Sequence, residues 1–354
     1  MNELRNRIDA IDADVLRLLN ERAGLALEIG GLKRADGAPF YVPEREHEVY
    51  ERLESLNEGP LKSRALRAIW REIISAIRTL EEPVSVGYLG PRDTFSHLAA
   101  KRVFGSHAEF HPVATIADVF TEVERSRLDY GMVPVETSAG GAVSDTLDRF
   151  VTSELKIVNE LLLHVREDLL ANCAFEEIVR LYSGVRPFAQ CRNWIKANLP
   201  KAELVEVSST AEAARIAADE PGAAAIASSL AAETYGLKIL VPGIEDMAHN
   251  YTRFFVLGRQ SAKPTGKDKT AIMFWVNDEP GALYKLLVPL ADQGVNLTKI
   301  ESRPSQRRAW EYVFFIDLMG HMDDPVVAQA LDGIRAYCKE LRVLGSFPQG
   351  VVGE

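Results

Sequence analysis

The sequence predicts a multidomain protein: an all-α N-terminal segment, a central α/β domain and a C-terminal α+β unit. Three observations predict it. Leu4, Ile8, Ile11, Val15, Leu18, Leu25, Ile29 and Leu32 step by fours and threes along one helical face, with Arg22 where the next apolar residue is due. From residue 84 to about 258, short apolar runs alternate with helical patterns. Beyond a polar stretch at 261–268, the order is strand, helix, strand, strand, helix, strand, a βαββαβ split unit.

The first helix is expected to run to about Arg34 and to stop at Asp36-Gly37-Ala38-Pro39. Pro43 suits the first turn of a second helix reaching about Leu56. A third follows Gly59-Pro60, with Leu66, Ile69, Ile73, Ile77 and Leu80 facing inward. Three helices, one of about 30 residues, cannot bury their own seams, so a homodimer or higher homo-oligomer is expected. Strands are expected at 84–89, 130–135, 157–165, 179–183, 204–207, 224–227 and 254–257, with a helix from about Phe95. In the tail, strands fall at 270–277, 295–303, 309–318 and 342–347, and helices at 281–292 and 324–338. The expected domains are therefore 1–82, 83–260 and 269–354.

The chain has 354 residues, 47% hydrophobic and 26% charged, as in globular proteins of two or three domains. A net charge of -10 argues against a nucleic-acid or anionic-membrane partner, while leaving room for local basic pockets. No apolar run reaches the roughly 18 residues of a membrane span, and the chain begins in an amphipathic helix, so no signal peptide is expected and a cytoplasmic location is. Cys173, Cys191 and Cys338 are widely spaced without His partners, and the seven histidines show no ligand spacing. Neither a disulfide framework, a metal nor a cofactor is implied.

Burying an unpaired guanidinium costs several kcal/mol, so something anionic should meet Arg22. Lys33, eleven residues on, lies about 20° around the helix and roughly 16 Å along it. Two cations on one inward face suit a small polyanion. Equally, Arg22 pairs with a buried acid of the fold while Lys33 reaches water.

The next segment bears on that choice. With Leu4-Arg5-Asn6-Arg7-Ile8-Asp9, Asn20-Glu21-Arg22-Ala23, Ile29-Gly30-Gly31-Leu32-Lys33 and Pro43-Glu44-Arg45-Glu46 on a three-helix outline, the first 82 residues resemble the AroQ-type chorismate mutase family. Chorismate is a dianion that rearranges to prephenate within one molecule; an enzyme must hold its compact chair and stabilise charge on the breaking ether oxygen. The resemblance implies that Arg22 and Arg45 hold carboxylates, with Arg5 reaching in from a partner chain. Lys33 donates to the ether oxygen and Glu46 accepts from the ring hydroxyl. The second ether donor falls at Glu81, where many members carry Gln, so activity should rise as pH falls. Val42 and Ile77 occupy contact positions that are polar in some relatives.

In the central domain, Gly90-Pro91-Arg92-Asp93-Thr94-Phe95-Ser96 and Val133-Pro134-Val135-Glu136-Thr137-Ser138 each link a strand to a helix start, where N–H groups and hydroxyls make carboxylate sites. Together with Asn250-Tyr251-Thr252-Arg253-Phe254 they look like prephenate dehydratase, a fold that resembles a two-lobed periplasmic-binding protein. The resemblance implies that Thr252 is the catalytic hydroxyl, with Thr94, Ser96, Glu136, Ser138, Ser183, Gln190, Ser209, Thr210, Asn250 and Arg253 as prephenate contacts. Five positions depart from that pattern: Asp93 replaces a Gly, Thr137 an Asn and Glu167 a His, and Gly184 and Arg186 fall in the usual Ser-His-Pro-Gln run. Asp93 brings negative charge toward a dianion's site, and Arg186 adds positive charge.

In the tail, Glu279-Pro280-Gly281-Ala282-Leu283 and Leu297-Thr298-Lys299-Ile300-Glu301-Ser302-Arg303-Pro304 match the ACT regulatory domain of prephenate dehydratases. Phenylalanine is the implied ligand, at Gly281, Ala282, Leu283, Glu301, Ser302 and Arg303. The whole chain then resembles a bifunctional chorismate mutase–prephenate dehydratase, making phenylpyruvate under phenylalanine inhibition. The five departures leave two alternatives open: a central domain that no longer catalyses, or one that processes prephenate differently, as by decarboxylation without aromatisation.

Overall fold

The computed structural model describes every residue except Ala139, Ala248, Asn277, Asp278, residues 305–311, Val351 and Glu354. The chain divides into two compact units, residues 1–85 with 103–109, and residues 86–102 with 110–354.

The first unit is helical: α1 Asn2–Asp36, α2 Pro43–Leu56 and α3 Ser63–Glu81. Gly37 ends α1 in the left-handed conformation, φ 63°, with its amide on the Arg34 carbonyl. Pro43 opens α2, where no amide is needed. The stop of α1 and the start of α2 were both expected from the sequence. The apolar seam of α1 lies open: its eight aliphatic residues are 47–67% exposed. Gly30 is the buried residue of α1. A β-carbon there would meet the Glu81 side chain at 3.1 Å, so glycine lets the end of α3 approach. Of the inward set expected on α3, Leu66 and Ile77 are buried while Ile69 and Leu80 are exposed, because within one chain that face meets nothing. Arg78, on the same helix, is buried instead, between the rings of Tyr41 and Phe104.

The second unit holds three sheets. Its strands are β1 Ser85–Leu89, β2 Glu109–Val113, β3 Tyr130–Thr137, β4 Gly141–Ala142, β5 Lys156–His164, β6 Asp168–Ala171, β7 Arg180–Ser183, β8 Glu203–Glu206, β9 Ala223–Ala227, β10 Lys238–Val241, β11 Tyr251–Gly258, β12 Asp268–Trp275, β13 Leu297–Pro304, β14 Tyr312–Met319, β15 Glu340–Pro348 and β16 Val352–Gly353. Its helices are α4 Phe95–Phe104, α5 Ile116–Glu124, α6 Ser144–Thr152, α7 Val185–Gln190, α8 Arg192–Asn198, α9 Thr210–Asp219, α10 Ser229–Tyr235, α11 Ala282–Asp292 and α12 Pro325–Arg335.

The first sheet runs β16-β5-β11-β3-β1-β2, the second β10-β6-β9-β7-β8, and the third β13-β14-β12-β15. The first two make a two-lobed α/β domain. The chain leaves the first lobe after β5, builds the second, and returns as β11, which lies antiparallel between β5 and β3. That insertion sets Thr252 opposite Thr137 on one side and Leu163 on the other.

The third sheet is the expected βαββαβ unit. One face packs under α11 and α12 through Ile272, Phe274, Leu286, Ile316 and Leu331. The other carries Met273, Trp275, Phe315 and Phe347 into one core with Phe150, Ile157 and Phe255 of the first lobe. The expected strand at 309–318 lies in part outside the described residues, and the 261–268 stretch is pinned rather than loose. Asp268 accepts from the amides of Thr265 and Gly266, and His321 Nε2 lies 3.1 Å from the Ala262 carbonyl.

Candidate functional sites

In the helical unit two of the expected cations, Arg22 and Lys33, act on Glu81. Lys33 Nζ is 3.8 Å from its carboxylate and 3.3 Å from the Phe40 carbonyl, to which it donates. Arg34 donates to the Glu81 carbonyl. The Arg22 guanidinium is held below its usual range by partial burial and the nearby cations Arg45 and Arg52, against the attraction of Glu81. Among the described residues, no acid comes within ion-pair distance of Arg22. Arg45 reaches Glu48 at 2.7 Å on the exposed surface. Burial pushes the Glu81 carboxyl up, although Lys33, Arg78 and Arg22 oppose the shift. One Glu81 oxygen is buried without a hydrogen-bond partner among the described residues.

Glu46 takes a partner the sequence did not suggest. Arg78 Nη1 donates to it at 2.5 Å, and the same guanidinium donates to the Phe104 carbonyl. Burial nevertheless holds the Glu46 carboxyl above its usual range, against Arg78 and Lys33. Arg78 and Arg52 are therefore neighbours of the site that sequence reasoning missed. Arg52 follows Arg45 by seven residues on one helix face, a legible signal; Arg78, set within an apolar seam, gave none. Arg5 lies far along the exposed part of α1 and meets none of this group within one chain. Val42 caps α2 and Ile77 is buried, so neither supplies a polar side chain.

In the two-lobed domain several expected residues come together at the ends of β3 and β11. Ser138 and Tyr251 exchange hydrogen bonds: the Ser138 amide donates to the Tyr251 carbonyl at 2.8 Å, and the Tyr251 amide to the Ser138 hydroxyl at 2.9 Å. Thr137 accepts from the Gly140 amide. Gln190 Nε2 donates to Asn250 Oδ1 at 3.2 Å, and Asn250 is buried with its amide nitrogen unpartnered among the described residues. Thr252 is half-buried, and no hydrogen bond to its hydroxyl occurs among the described residues.

On the second lobe, the Ser183 hydroxyl donates to the Ile226 carbonyl and Ser209 caps α9 by accepting from the Glu212 amide. A cavity of about 540 Å³ is lined by Gly90, Arg92 and Pro112 on one lobe and by Ala211, Glu212 and Tyr235 on the other. It brings the 90–96 turn, with Thr94 and Ser96, beside the start of α9, with Ser209 and Thr210. Thr94 itself donates to the Leu89 and Pro91 carbonyls.

Asp93 sits at φ +65°, the left-handed conformation in which glycine is otherwise favoured. Its negative charge bears on Tyr235 of the cavity lining. Its carboxylate is buried 3.5 Å from His97 Nδ1, and its amide donates to the same nitrogen at 3.1 Å. His97 stacks on Tyr88 at 4.7 Å, and its burial lowers its pKa; it is a packing residue. Gly184 caps α7 with ordinary backbone angles, and Arg186 is exposed in the first turn of that helix.

Three expected ligand contacts engage the protein's own charges. Arg253 follows Thr252 on a strand, so it leaves the opposite face. There it pairs with Glu160 at 2.5 Å and with Asp317 of β14, and Lys269 of β12 joins Glu160 at 2.8 Å. Arg253 is thereby not part of the group around Thr252. Glu136, its register partner on β3, pairs with Lys299 of β13 at 2.8 Å. Arg303 pairs with Asp148 and donates to the Ser144 hydroxyl, both on α6. The expected phenylalanine set is thus divided. Gly281, at φ +78°, caps α11 ahead of Ala282 and Leu283, whereas on β13 Glu301 and Arg303 share one face and Ser302 takes the other.

A cation-lined helical unit, a two-lobed domain with hydroxyls and amides gathered at its strand ends, and a βαββαβ domain define a multidomain enzyme of small carboxylates. Three family models match: Chorismate mutase type II over residues 4–82, Prephenate dehydratase over 86–262 and the ACT domain over 270–336. The bifunctional chorismate mutase/prephenate dehydratase of Aquifex aeolicus (strain VF5) is 48% identical over 359 residues, spanning 100% of this chain and 99% of that one. Among solved structures, the prephenate dehydratase of Arthrobacter aurescens in complex with L-Phe is 36% identical with a TM-score of 0.69, covering 75% of this chain and 90% of its own. GqqA, described as a novel type of quorum quenching acylase, is 31% identical with a TM-score of 0.68, covering 74% and 97%. The chain belongs to the bifunctional chorismate mutase/prephenate dehydratase family.

Proposed function

We propose that this chain converts chorismate to prephenate on its helical unit and prephenate to phenylpyruvate on its two-lobed domain, under feedback inhibition by phenylalanine. The observation that carries the first step is the imbalance around Glu81: Arg22, Lys33, Arg34 and Arg78 all act on one carboxyl that pairs only loosely with Lys33, and Arg45 bears on Arg22 beside it. Such a group has charge to spare for a dianion. Arg22 and Arg45 hold its carboxylates, Lys33 and Glu81 face the ether oxygen, and Glu46 takes the ring hydroxyl. For the second step, carbon dioxide and hydroxide leave together as the ring aromatises, with the Thr252 hydroxyl serving the departing oxygen. Phenylalanine is taken at the Gly281-Ala282-Leu283 turn, where helix amides meet its carboxylate. No helix among the described residues is long and apolar enough to cross a membrane, and we take the enzyme to be cytoplasmic. Supplied with chorismate alone, it should release phenylpyruvate; lasting accumulation of prephenate, or a non-aromatic product, would sink the second assignment.

Glu81 sets the pH dependence of the first step. It donates to the ether oxygen only when protonated, and burial raises its pKa. The active form therefore grows as pH falls, and kcat/KM for chorismate should climb steadily from about pH 8 to pH 5. Glu81→Gln donates at every pH, so it should flatten this profile and raise activity at neutral pH. A flat profile in the parent enzyme defeats the assignment.

A further inference from the structure

The chain passes between the two lobes twice, at residues 165–167 and 242–250, and the passages are bonded together beside the candidate prephenate contacts. The Val165 amide donates to the Asn250 carbonyl and the Ile244 amide to the Glu167 carbonyl, each at 2.8 Å. The Glu167 amide donates to Glu245 Oε2 and the Gly243 amide to Asp168 Oδ1, each at 2.9 Å. The same second passage carries Asn250, bonded to Gln190, and Asp246, whose amide donates to the Gln190 carbonyl at 2.7 Å.

At the centre of this junction the Glu167 side chain is 1% exposed, and its Oε2 has no hydrogen-bond partner among the described residues. The charged groups acting on it are acids, Glu245 and Asp168. Asp246 directs its carboxylate to the amides of Asn193 and Trp194 at the start of α8. Arg166 packs against Gly243, where it bears on Asp168. Cys191 lies near Glu167, and burial pushes its thiol up so that it remains uncharged. Neither cation nor thiol neutralises a Glu167 carboxylate.

We propose that Glu167 is a positioning residue for the dehydratase step: its buried side chain fills the junction at which the two passages are bonded together, and so holds Gln190 and Asn250 against the substrate. The proposal rests on the reading that Gln190 and Asn250 contact prephenate. Burial first, then Glu245 and Asp168, push the Glu167 carboxyl up to about 8. Above that pH the anion faces two carboxylates in a buried junction, the passages part, and the contacts are lost. The helical unit contains none of these residues, so its activity serves as an internal control.

The test is the pH profile of phenylpyruvate formation from prephenate in the full-length chain, with chorismate mutase activity followed in parallel. The parent enzyme should lose dehydratase kcat/KM by about tenfold per pH unit above roughly pH 8, with KM rising, while mutase activity shows no such limb. Glu167→Gln, equal in shape and uncharged throughout, should stay within about threefold of the parent at pH 7 and lose the alkaline limb. Glu245→Gln removes one repelling charge, lets Glu167 ionise more readily, and should move the limb to lower pH. An alkaline limb that persists in Glu167→Gln overturns the proposal; should that variant fail to fold, an unmoved limb in Glu245→Gln does so. Absence of phenylpyruvate at every pH would instead refute the dehydratase reading.

Discussion

Replacing Thr252 by Ala should abolish phenylpyruvate formation and leave the mutase step untouched, so that the variant fed chorismate accumulates prephenate. A positioned proton donor contributes about 10²–10⁴-fold to a rate, and the loss should fall in that range, in kcat more than in KM. Thr252 is half-buried on β11, between Thr137 and Leu163, and beside the Ser138–Tyr251 and Gln190–Asn250 bonds. Removing one hydroxyl there disturbs no internal hydrogen bond among the described residues, so the fold and the other activity report that the variant is intact. Dehydratase turnover within about threefold of the parent would remove Thr252 from the chemistry.

The same strand shows where sequence reasoning ran short. Thr252 and Arg253 belong to one motif, and both were expected at prephenate. Period-two alternation forbids two adjacent strand residues from facing one cleft. Arg253 turns instead to Glu160 and Asp317, a buried cluster in which Asp317 is raised by burial and Glu160 is lowered chiefly by Arg253 and Lys269. The alternation was legible; the partners, 93 and 64 residues distant, were not. The βαββαβ tail was legible because each element carries its own period. The return of the chain as β11 between β5 and β3 was hidden, since pairing order is a non-local property. β2 escaped notice because its Glu-Phe-His-Pro-Val run lies mostly exposed and lacks an apolar alternation. In the helical unit, Arg22 stood out as an exception to the apolar seam of α1, and Arg45 was legible from the Pro43-Glu44-Arg45-Glu46 run. Arg78 did not stand out, because partners distant in sequence, Glu46 and the Phe104 carbonyl, explain its burial.

The open seam of α1 leads to the second large effect. A helix with eight aliphatic residues on one face, each about half exposed, is a surface awaiting cover, and a second copy offers an identical face to meet it. Arg5 precedes Arg22 by 17 positions on this one helix, about 25 Å at 1.5 Å per residue, so it cannot serve the site of its own chain. An antiparallel pair of such helices whose two-fold axis passes between residues 13 and 14 brings Arg5 of one copy level with Arg22 of the other. Arg5→Ala and Arg22→Ala should each lower mutase kcat/KM on the order of 10²–10³-fold, the cost of removing one member of a desolvated charge contact. Co-produced in equal amounts, the two inactive chains should recover about a quarter of the parental mutase activity: half of the dimers are mixed, and each mixed dimer has one site with both arginines. Dehydratase activity should be equal in all three preparations. A mixture no more active than its components would confine each site to a single chain and leave the exposed face of α1 without its proposed cover.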